Sequence, residues 1–229
     1  MGTGKNEREL SPIFLSYFTK KTIKTISCGY SHTLFLTKSK NVYATGYNTH
    51  GELGLGNNLA SYLPVKVSKI KHENVVSVFA GSHSAAITEK GDLYIWGSGV
   101  FGEFSQPNKM NSDEKFIDAC IGFGFGIGID MNEQLHFWGE NQSGQLGFGD
   151  FDPRISMTEN QNLQGKKVKK IACGGEFFIG LLEEDQKNVR KKNIIDNIMN
   201  GMTTSKKKNE EDISNRKVII NSTEIKNRK

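Results

Sequence analysis

Three stretches of the chain repeat one pattern, and this repetition constrains the fold more than any other feature of the sequence. The stretches begin at Thr22, Asn74 and Lys115. Each contains a β-forming run, a Gly, an apolar strand, a turn and a second strand that ends in Gly, followed by Gly-x-Leu-Gly-x-Gly or a remnant of it. A single unit of short strands leaves apolar faces uncovered, so successive units must stack to form a core.

Equivalent positions in the repeats keep a regular spacing. Each strand-ending glycine is preceded, fourteen residues upstream, by a His or a Phe. These upstream residues, with a fourth that opens a further repeat, are His32, His83, Phe125 and Phe177. They lie 51, 42 and 52 residues apart, and the second repeat is short because it lacks about ten residues after Phe104. Four short strands in every 42 to 52 residues predict an all-β fold, a β-propeller.

The repeat register divides the chain. Full repeats are predicted at 22–73, 74–114 and 115–165, with partial repeats at 1–21 and 166–186. Gly2-Thr3-Gly4 aligns with Gly54-Leu55-Gly56, so the chain is expected to open in the middle of a repeat. An arc of about three to four blades leaves unpaired strand edges. We expect a fragment of a longer protein; ring completion by self-association through these edges and capping by the tail are the alternatives.

At this point the residues identify a family. The strings CGYSHTLFLT, GYNTHGELGLGNN, AGSHSAAIT, DLYIWGSGVFGE and HFWGENQSGQLGFGD closely resemble the regulator of chromosome condensation repeat, over about residues 1–184. The resemblance implies an incomplete propeller, with about three to four of the family's seven blades. The sequence departs from the family pattern at Phe125 and Phe177, which replace His, at Thr45, which replaces Trp, and in EFSQP, which replaces the second Leu-Gly-x-Gly loop.

The residues that carry the repeat signature are predicted to be structural, and no binding residue is identified. The recurring His32 and His83 are expected to bond a loop carbonyl within each blade. The matching Asn48 and Asn141 are expected to cap turns. The full signature set is Gly29, His32, Gly46, Gly54, Gly56, Gly81, His83, Trp96, Gly97, Gly122, Trp138, Gly139, Gly147, Gly149 and Gly174.

The glycine-rich stretch 122–129 is predicted as a strand. A dinucleotide-binding loop would need a third glycine at position 127, which is Ile127. Alternation instead places four apolar residues on one face of a strand and four glycines on the other. The apolar residues are Phe123, Phe125, Ile127 and Ile129.

No pattern of residues indicates catalysis, a cofactor or a metal. His50, His72 and His136 have no Cys or carboxylate at metal-binding spacing, and no Gly-x-Ser-x-Gly motif occurs. The three cysteines, Cys28, Cys120 and Cys173, are predicted to be reduced, buried thiols. We therefore expect a non-catalytic protein without a cofactor.

The net charge of +5 is concentrated in the tail. Residues 187–229 contain 12 Lys and Arg against 5 Asp and Glu, whereas residues 1–186 contain 18 against 20. This basic polar tail is predicted to form a short helix or to be disordered. Nucleic-acid binding is not expected, except weakly through the tail. With no secretory signal and no long apolar run, no membrane association is expected, and the cytoplasm or nucleus is the default location.

Three functions remain open. The first is a protein–protein interaction module, a scaffold whose loops present a surface on a rigid frame and which is part of a larger regulatory protein. The resemblance implies the second, guanine-nucleotide exchange on a small Ran-like GTPase, although no residues of this sequence can be assigned to it. Chromatin binding through the basic tail is the third and weakest.

Overall fold

Four antiparallel sheets follow one another along the part of the chain that the computed structural model describes, residues 2–5, 10–163, 165–183 and, as backbone, 218–221. Each sheet takes its strands in chain order. The strands are β1 Ile23–Cys28, β2 His32–Thr37, β3 Val42–Gly46 and β4 Ser61–Lys66; β5 Val75–Ala80, β6 Ser84–Thr88, β7 Leu93–Gly99 and β8 Gly102–Lys109; β9 Phe116–Ile121, β10 Phe125–Asp130, β11 Leu135–Gly139 and β12 Arg154–Glu159; and β13 Val168–Cys173, β14 Phe178–Leu182 and β15 Val218–Asn221. Short 3₁₀ helices at Ser16–Phe18, Ser68–Ile70 and Gln161–Leu163 precede the next sheet.

The turn between the second and third strands is built in the same way in each of the first three sheets. The last residue of the second strand has a side-chain oxygen that accepts a hydrogen bond from the amide four residues later. Asn41 N donates to Thr37 Oγ1, and the equivalent acceptors are Thr88 Oγ1 and Asp130 Oδ1. In the second sheet residues 89–92 form this hairpin connection, and Gly91 has a φ of +79° there.

The hydrophobic core lies between consecutive sheets. One cluster joins the first and second sheets, a second joins the second and third, and a third joins the third and fourth. Large buried side chains in these clusters are Trp96, Trp138 and Phe178, respectively. The predicted stacking of blades is therefore confirmed, and the fold is an incomplete all-β propeller.

The strand predicted over the glycine-rich stretch is confirmed as β10, with Phe125, Ile127 and Ile129 buried. Its glycines make room for rings of the flanking strands: a Cβ on Gly126 would lie 2.3 Å from Trp138 Cζ2. Phe123 is not on this face, contrary to the prediction, because the strand begins at residue 125 and Phe123 lies in the preceding loop, half-exposed.

The prediction for the cysteines is wrong. Cys120 on β9 and Cys173 on β13 form a disulfide between neighbouring sheets, with their Cα atoms 5.5 Å apart. Cys28 is a free thiol and is exposed. Spacing along the sequence hides this pair, because the stacking of sheets brings together strands that are 53 residues apart.

The prediction of a helical or disordered tail is wrong for residues 218–221, which form a strand, β15, antiparallel to β14. Val-Ile-Ile is a strongly β-forming run, and the edge of β14 offers it backbone partners. The rest of the tail lies outside the described residues. No helix among the described residues is long and apolar enough to cross a membrane.

Candidate interaction face

Polar side chains of the repeat signature join the first and second sheets inside the protein. Trp96 Nε1 donates to the Glu52 carbonyl over 2.8 Å, and the Ser84 hydroxyl donates to the same oxygen over 2.7 Å. His32 Nε2 lies 2.7 Å from Ser84 Oγ. Because the Ser84 hydroxyl already donates to Glu52, His32 must be the donor, with its proton on Nε2. The predicted partner, a loop carbonyl, is thus reached through Ser84 and not directly.

Burial keeps the recurring histidines neutral. His32 and His83 are 1% and 2% exposed. Burial lowers the pKa of His32 to about 4, against a smaller opposing effect of the Glu52 carboxylate. Burial also lowers the pKa of His83 to about 4, and the neighbouring His32 lowers it further. Both side chains therefore act as neutral packing groups near pH 7.

The buried asparagines hold the long loops that follow the third strands. Asn48 Oδ1 accepts from Leu53 N, while Asn48 Nδ2 donates to the carbonyls of Asn57 and Leu59. Asn141 repeats this arrangement with Leu146 N and the carbonyl of Asp150. The predicted turn-capping role of both asparagines is confirmed.

The signature glycines lie where backbones approach closely or turn sharply. A Cβ on Gly29 would lie 2.5 Å from the Gly81 carbonyl oxygen, and a Cβ on Gly81 would lie 2.5 Å from that of Ile121. Gly122 and Gly174 lie under the rings of Phe125 and Phe177. Positive φ angles, which only glycine adopts readily, are found at the other signature glycines: Gly46, Gly54, Gly56, Gly97, Gly139, Gly147 and Gly149.

Loops from all four sheets meet at one end of the strands and form a surface that we call the loop face. In an antiparallel sheet the first and third connections lie at the same end. The loop face comprises residues 29–31, 47–60, 81–82, 98–103, 122–124, 140–153 and 174–177. Backbone hydrogen bonds join these loops from sheet to sheet, from Tyr30 N to Gly81 O, Ser82 N to Gly122 O and Phe123 N to Gly175 O.

Five aromatic side chains are exposed on the loop face. Phe151 is one of them, and we call the other four the aromatic rim: Tyr30, Tyr47, Phe123 and Phe177. Tyr30 is 83% exposed, and its ring centroid lies 6.1 Å from that of Phe123. Tyr47 N donates to Ser31 O, which places Tyr47 beside the Tyr30 loop. Large aromatic side chains exposed together in this way are typical of binding surfaces.

The profile of the regulator of chromosome condensation (RCC1) repeat matches residues 1–36, 41–87 and 132–181, and a second profile of the same repeat matches 23–52. The chain belongs to the RCC1-repeat family.

Relatives and solved structures agree with this membership. The ultraviolet-B receptor UVR8 of Arabidopsis thaliana is 29% identical over 195 residues, 80% of this chain and 44% of that protein. The human E3 ubiquitin-protein ligase HERC2 is 29% identical over 179 residues, 72% of this chain and 4% of that protein. The crystal structure of Prp20p from Saccharomyces cerevisiae superposes with a TM-score of 0.63 at 22% identity, over 76% of this chain and 47% of that one. The chain thus spans less than half the length of each of these proteins.

The start of this RCC1-repeat chain follows the register of its repeats. Gly4 N donates to Tyr62 O on β4, as Gly56 N donates to Ser105 O on β8. In both cases the loop packs on the outer strand of the next sheet. The alignment of Gly2-Thr3-Gly4 with Gly54-Leu55-Gly56 is confirmed by this contact.

The second RCC1 repeat lacks the long loop that follows the third strand, and a buried indole nitrogen is left without a hydrogen-bond acceptor among the described residues. In the second sheet β7 runs directly into β8 through a tight hairpin, Gly99 pairing with Gly102. By analogy with Trp96, Trp138 needs a loop carbonyl from that repeat. Among the residues that the structure describes, Trp138 Nε1 and His32 Nδ1 are the buried side-chain nitrogens without a hydrogen-bond partner.

The structure also brings together three side chains that sequence spacing had separated. Each of these side chains has one atom that could bind a metal ion, and these atoms all lie within 4.8 Å of one another in Glu114, Asp130 and His136. Asp130 accepts hydrogen bonds from the Gln134 and Asn132 amides and lies 3.0 Å from His136 Nε2. Burial opposes ionisation of Asp130, but these hydrogen bonds outweigh it and hold its pKa below the usual value. This cluster is not evident from spacing along the sequence, and the existing hydrogen bonds already account for the positions of Asp130 and His136.

A groove of about 400 Å³ beside β4 is also lined by repeat residues. Its charged groups are Lys66 and Lys69, and no carboxylate or histidine lines it. The groove therefore lacks the acid–base pair that hydrolytic or proton-transfer chemistry needs.

Proposed function

We propose that this RCC1-repeat chain is a protein–protein interaction module that binds its partner on the loop face. The observation that carries the proposal is the aromatic rim, which a stacked frame of sheets holds exposed. Tyr30, Tyr47, Phe123 and Phe177 are between 42% and 83% exposed. Tyr and Phe are enriched at protein interfaces because they bury a large area at a low cost in side-chain entropy.

The frame supports this role because it fixes the loops. Asn48 and Asn141 are fully buried and hold both long loops, and the backbone hydrogen bonds between sheets join the short ones. A preorganised surface loses little conformational freedom when a partner binds. The recurring histidines serve the frame and not the surface, since they are buried and neutral.

Site-specific photo-crosslinking tests the proposal. A photoreactive benzoyl-phenylalanine replaces Ser98, which is exposed on the loop face, and the control carries it at exposed Glu89, at the opposite end of the strands. We expect discrete protein adducts from the Ser98 position and none from the Glu89 position. Equal adducts from both positions, or none from Ser98, would contradict the proposal.

Nucleotide exchange on a Ran-like GTPase is the second candidate, and the similarity to Prp20p favours it. Prp20p is described with binding properties to Gsp1p and histones. An exchange factor works by binding the nucleotide-free GTPase more tightly than the loaded form. Release of a fluorescent GDP analogue from a Ran-like GTPase separates the candidates: an interaction module leaves the release rate unchanged, whereas an exchange factor raises it tenfold or more.

A further inference from the structure

The two ends of the strands carry different charges. The loop face contains six acidic residues and no Lys or Arg; one of the six, Glu52, is buried, and Asp150 is paired with Arg154 at the start of β12. The acidic residues are Glu52, Glu103, Glu140, Asp150, Asp152 and Glu176. Turns and connections at the opposite end carry both signs of charge: lysines such as Lys38, Lys40, Lys69, Lys71, Lys90 and Lys115, and carboxylates such as Glu73, Glu89, Asp92, Asp113, Glu114 and Glu133. The chain has a net positive charge, but the surface around the aromatic rim is acidic.

Contacts across the loop face place its carboxylates beside the rim. Glu140 N donates to Gly124 O, next to Phe123. Glu176 directly precedes Phe177 and accepts a hydrogen bond from Ser143 Oγ over 3.1 Å. Both glutamates are exposed. Carboxylates thus lie beside Phe123 and Phe177 in the loops of the third and fourth sheets.

The loop 140–153 of the same face shows which group an aromatic ring and a carboxylate bind together. The Arg154 guanidinium lies 4.0 Å from the centroid of the Phe148 ring, and its Nη2 lies 2.7 Å from Asp150 Oδ2. The ring face attracts the cation, and the carboxylate binds its N–H groups. At Phe123 and Phe177 the same combination of groups is exposed, and loops 122–124 and 174–177 contain no Lys or Arg to occupy it.

We propose that the loop face docks an extended, Arg- and Lys-rich segment of a partner protein. The inference rests on the proposed function and names the chemistry of its partner. Cationic side chains lie over Tyr30 and Phe123, and the carboxylates of Glu140 and Glu176 neutralise them. An acidic segment or a nucleic acid would meet the carboxylates of Glu140 and Glu176 and is repelled.

Fluorescence anisotropy with a labelled Arg-Ser repeat peptide of eight residues tests the docking, and a Glu-Ser peptide is the matched probe. The whole chain has a net charge of +5, so bulk attraction does not draw an Arg peptide to it. We expect the Arg peptide to bind in 50 mM NaCl, to weaken several-fold in 300 mM NaCl, and the Glu peptide not to bind.

Variants locate the binding. Phe123→Ala and Glu176→Gln should each weaken binding of the Arg peptide fivefold or more. Phe14→Ala removes an aromatic ring that is 79% exposed outside the loop face, and Glu89→Gln removes a charge at the opposite end, so neither should change the affinity. Circular dichroism and melting temperature establish that each variant is folded.

The inference would be overturned if the Arg peptide did not bind, or if neither loop-face variant changed its affinity. It would also be overturned if the Glu peptide or single-stranded RNA bound this face more tightly than the Arg peptide. The crosslinking experiment separates this failure from that of the proposed function. A partner crosslinked at Ser98 through a segment without basic residues would overturn only the basic-segment inference. Without any adduct at Ser98, the proposed function fails as well.

Discussion

Buried neutral histidines make the fold sensitive to mild acid, and His83→Phe tests this. Phenylalanine is a suitable replacement because the chain already has it at the equivalent position of the later repeats, as Phe125 and Phe177. In the folded chain burial lowers the pKa of His83 to about 4, whereas a histidine in an unfolded chain titrates at about 6.5. The unfolded state therefore binds a proton first as the pH falls, and stability is lost from about pH 6.5 downwards until the folded histidine protonates near pH 4.

The magnitude follows from these two values. Between pH 7.5 and pH 5 a single histidine with this shift costs about 2 kcal/mol of unfolding free energy. His32, whose pKa is also lowered to about 4, adds a similar loss. Wild type should thus lose about 4 kcal/mol over this range from the two histidines, and His83→Phe about half of that.

Urea unfolding at pH 7.5 and at pH 5 measures the difference. The quantity of interest is the change in unfolding free energy between the two pH values, so a constant effect of the substitution cancels. His72→Gln is the control, because it removes an exposed histidine. If His83→Phe loses as much stability as wild type between the two pH values, then His83 is not held neutral by burial and the reasoning is refuted.

Three further substitutions test the packing. Trp96→Phe should cost about 1–2 kcal/mol more unfolding free energy in urea than Trp138→Phe, because it breaks a hydrogen bond where Trp138 has none; equal costs would contradict the missing-acceptor explanation. Gly126→Ala, whose Cβ would meet the Trp138 ring, should lower stability by about 1–3 kcal/mol in thermal melts, whereas Gly175→Ala, which meets nothing within 4 Å, should not. Asp130→Asn should cost about 1–3 kcal/mol at pH 7, and since the pKa of Asp130 is lowered in the fold, the difference from wild type should shrink as the pH falls through the range in which carboxyls protonate.

Much of the fold could be predicted from the sequence, because the same residues recur at equivalent positions of each repeat where the structure requires them. A glycine at a close backbone approach, an apolar strand and a turn residue recur at fixed offsets, so the strands and the stacking follow from the register. The turn-capping Asn48 and Asn141 were found in this way, since both precede the same loop at the same distance.

Contacts between repeats could not be predicted, because they depend on how sheets stack and not on local spacing. The Cys120–Cys173 disulfide and the relay from His32 through Ser84 to Glu52 both cross from one sheet to the next. The sequence predicted a loop surface, but its residues could not be identified for a related reason. Tyr30 and Phe123 are far apart in the chain, and their glycine-flanked positions became significant only when the loops met. Comparing the equivalent loops of each repeat for Lys and Arg would have revealed its charge.

The absent loop of the second repeat has a mechanical consequence. Between the first and second sheets, Trp96 and Ser84 donate hydrogen bonds to the backbone of the loop that contains Glu52. Between the third and fourth a covalent bond spans the gap. The joint between the second and third sheets has neither. We therefore expect the chain to bend mainly between the second and third sheets. A bound partner could then fix the angle between the loops of the first two sheets and those of the last two.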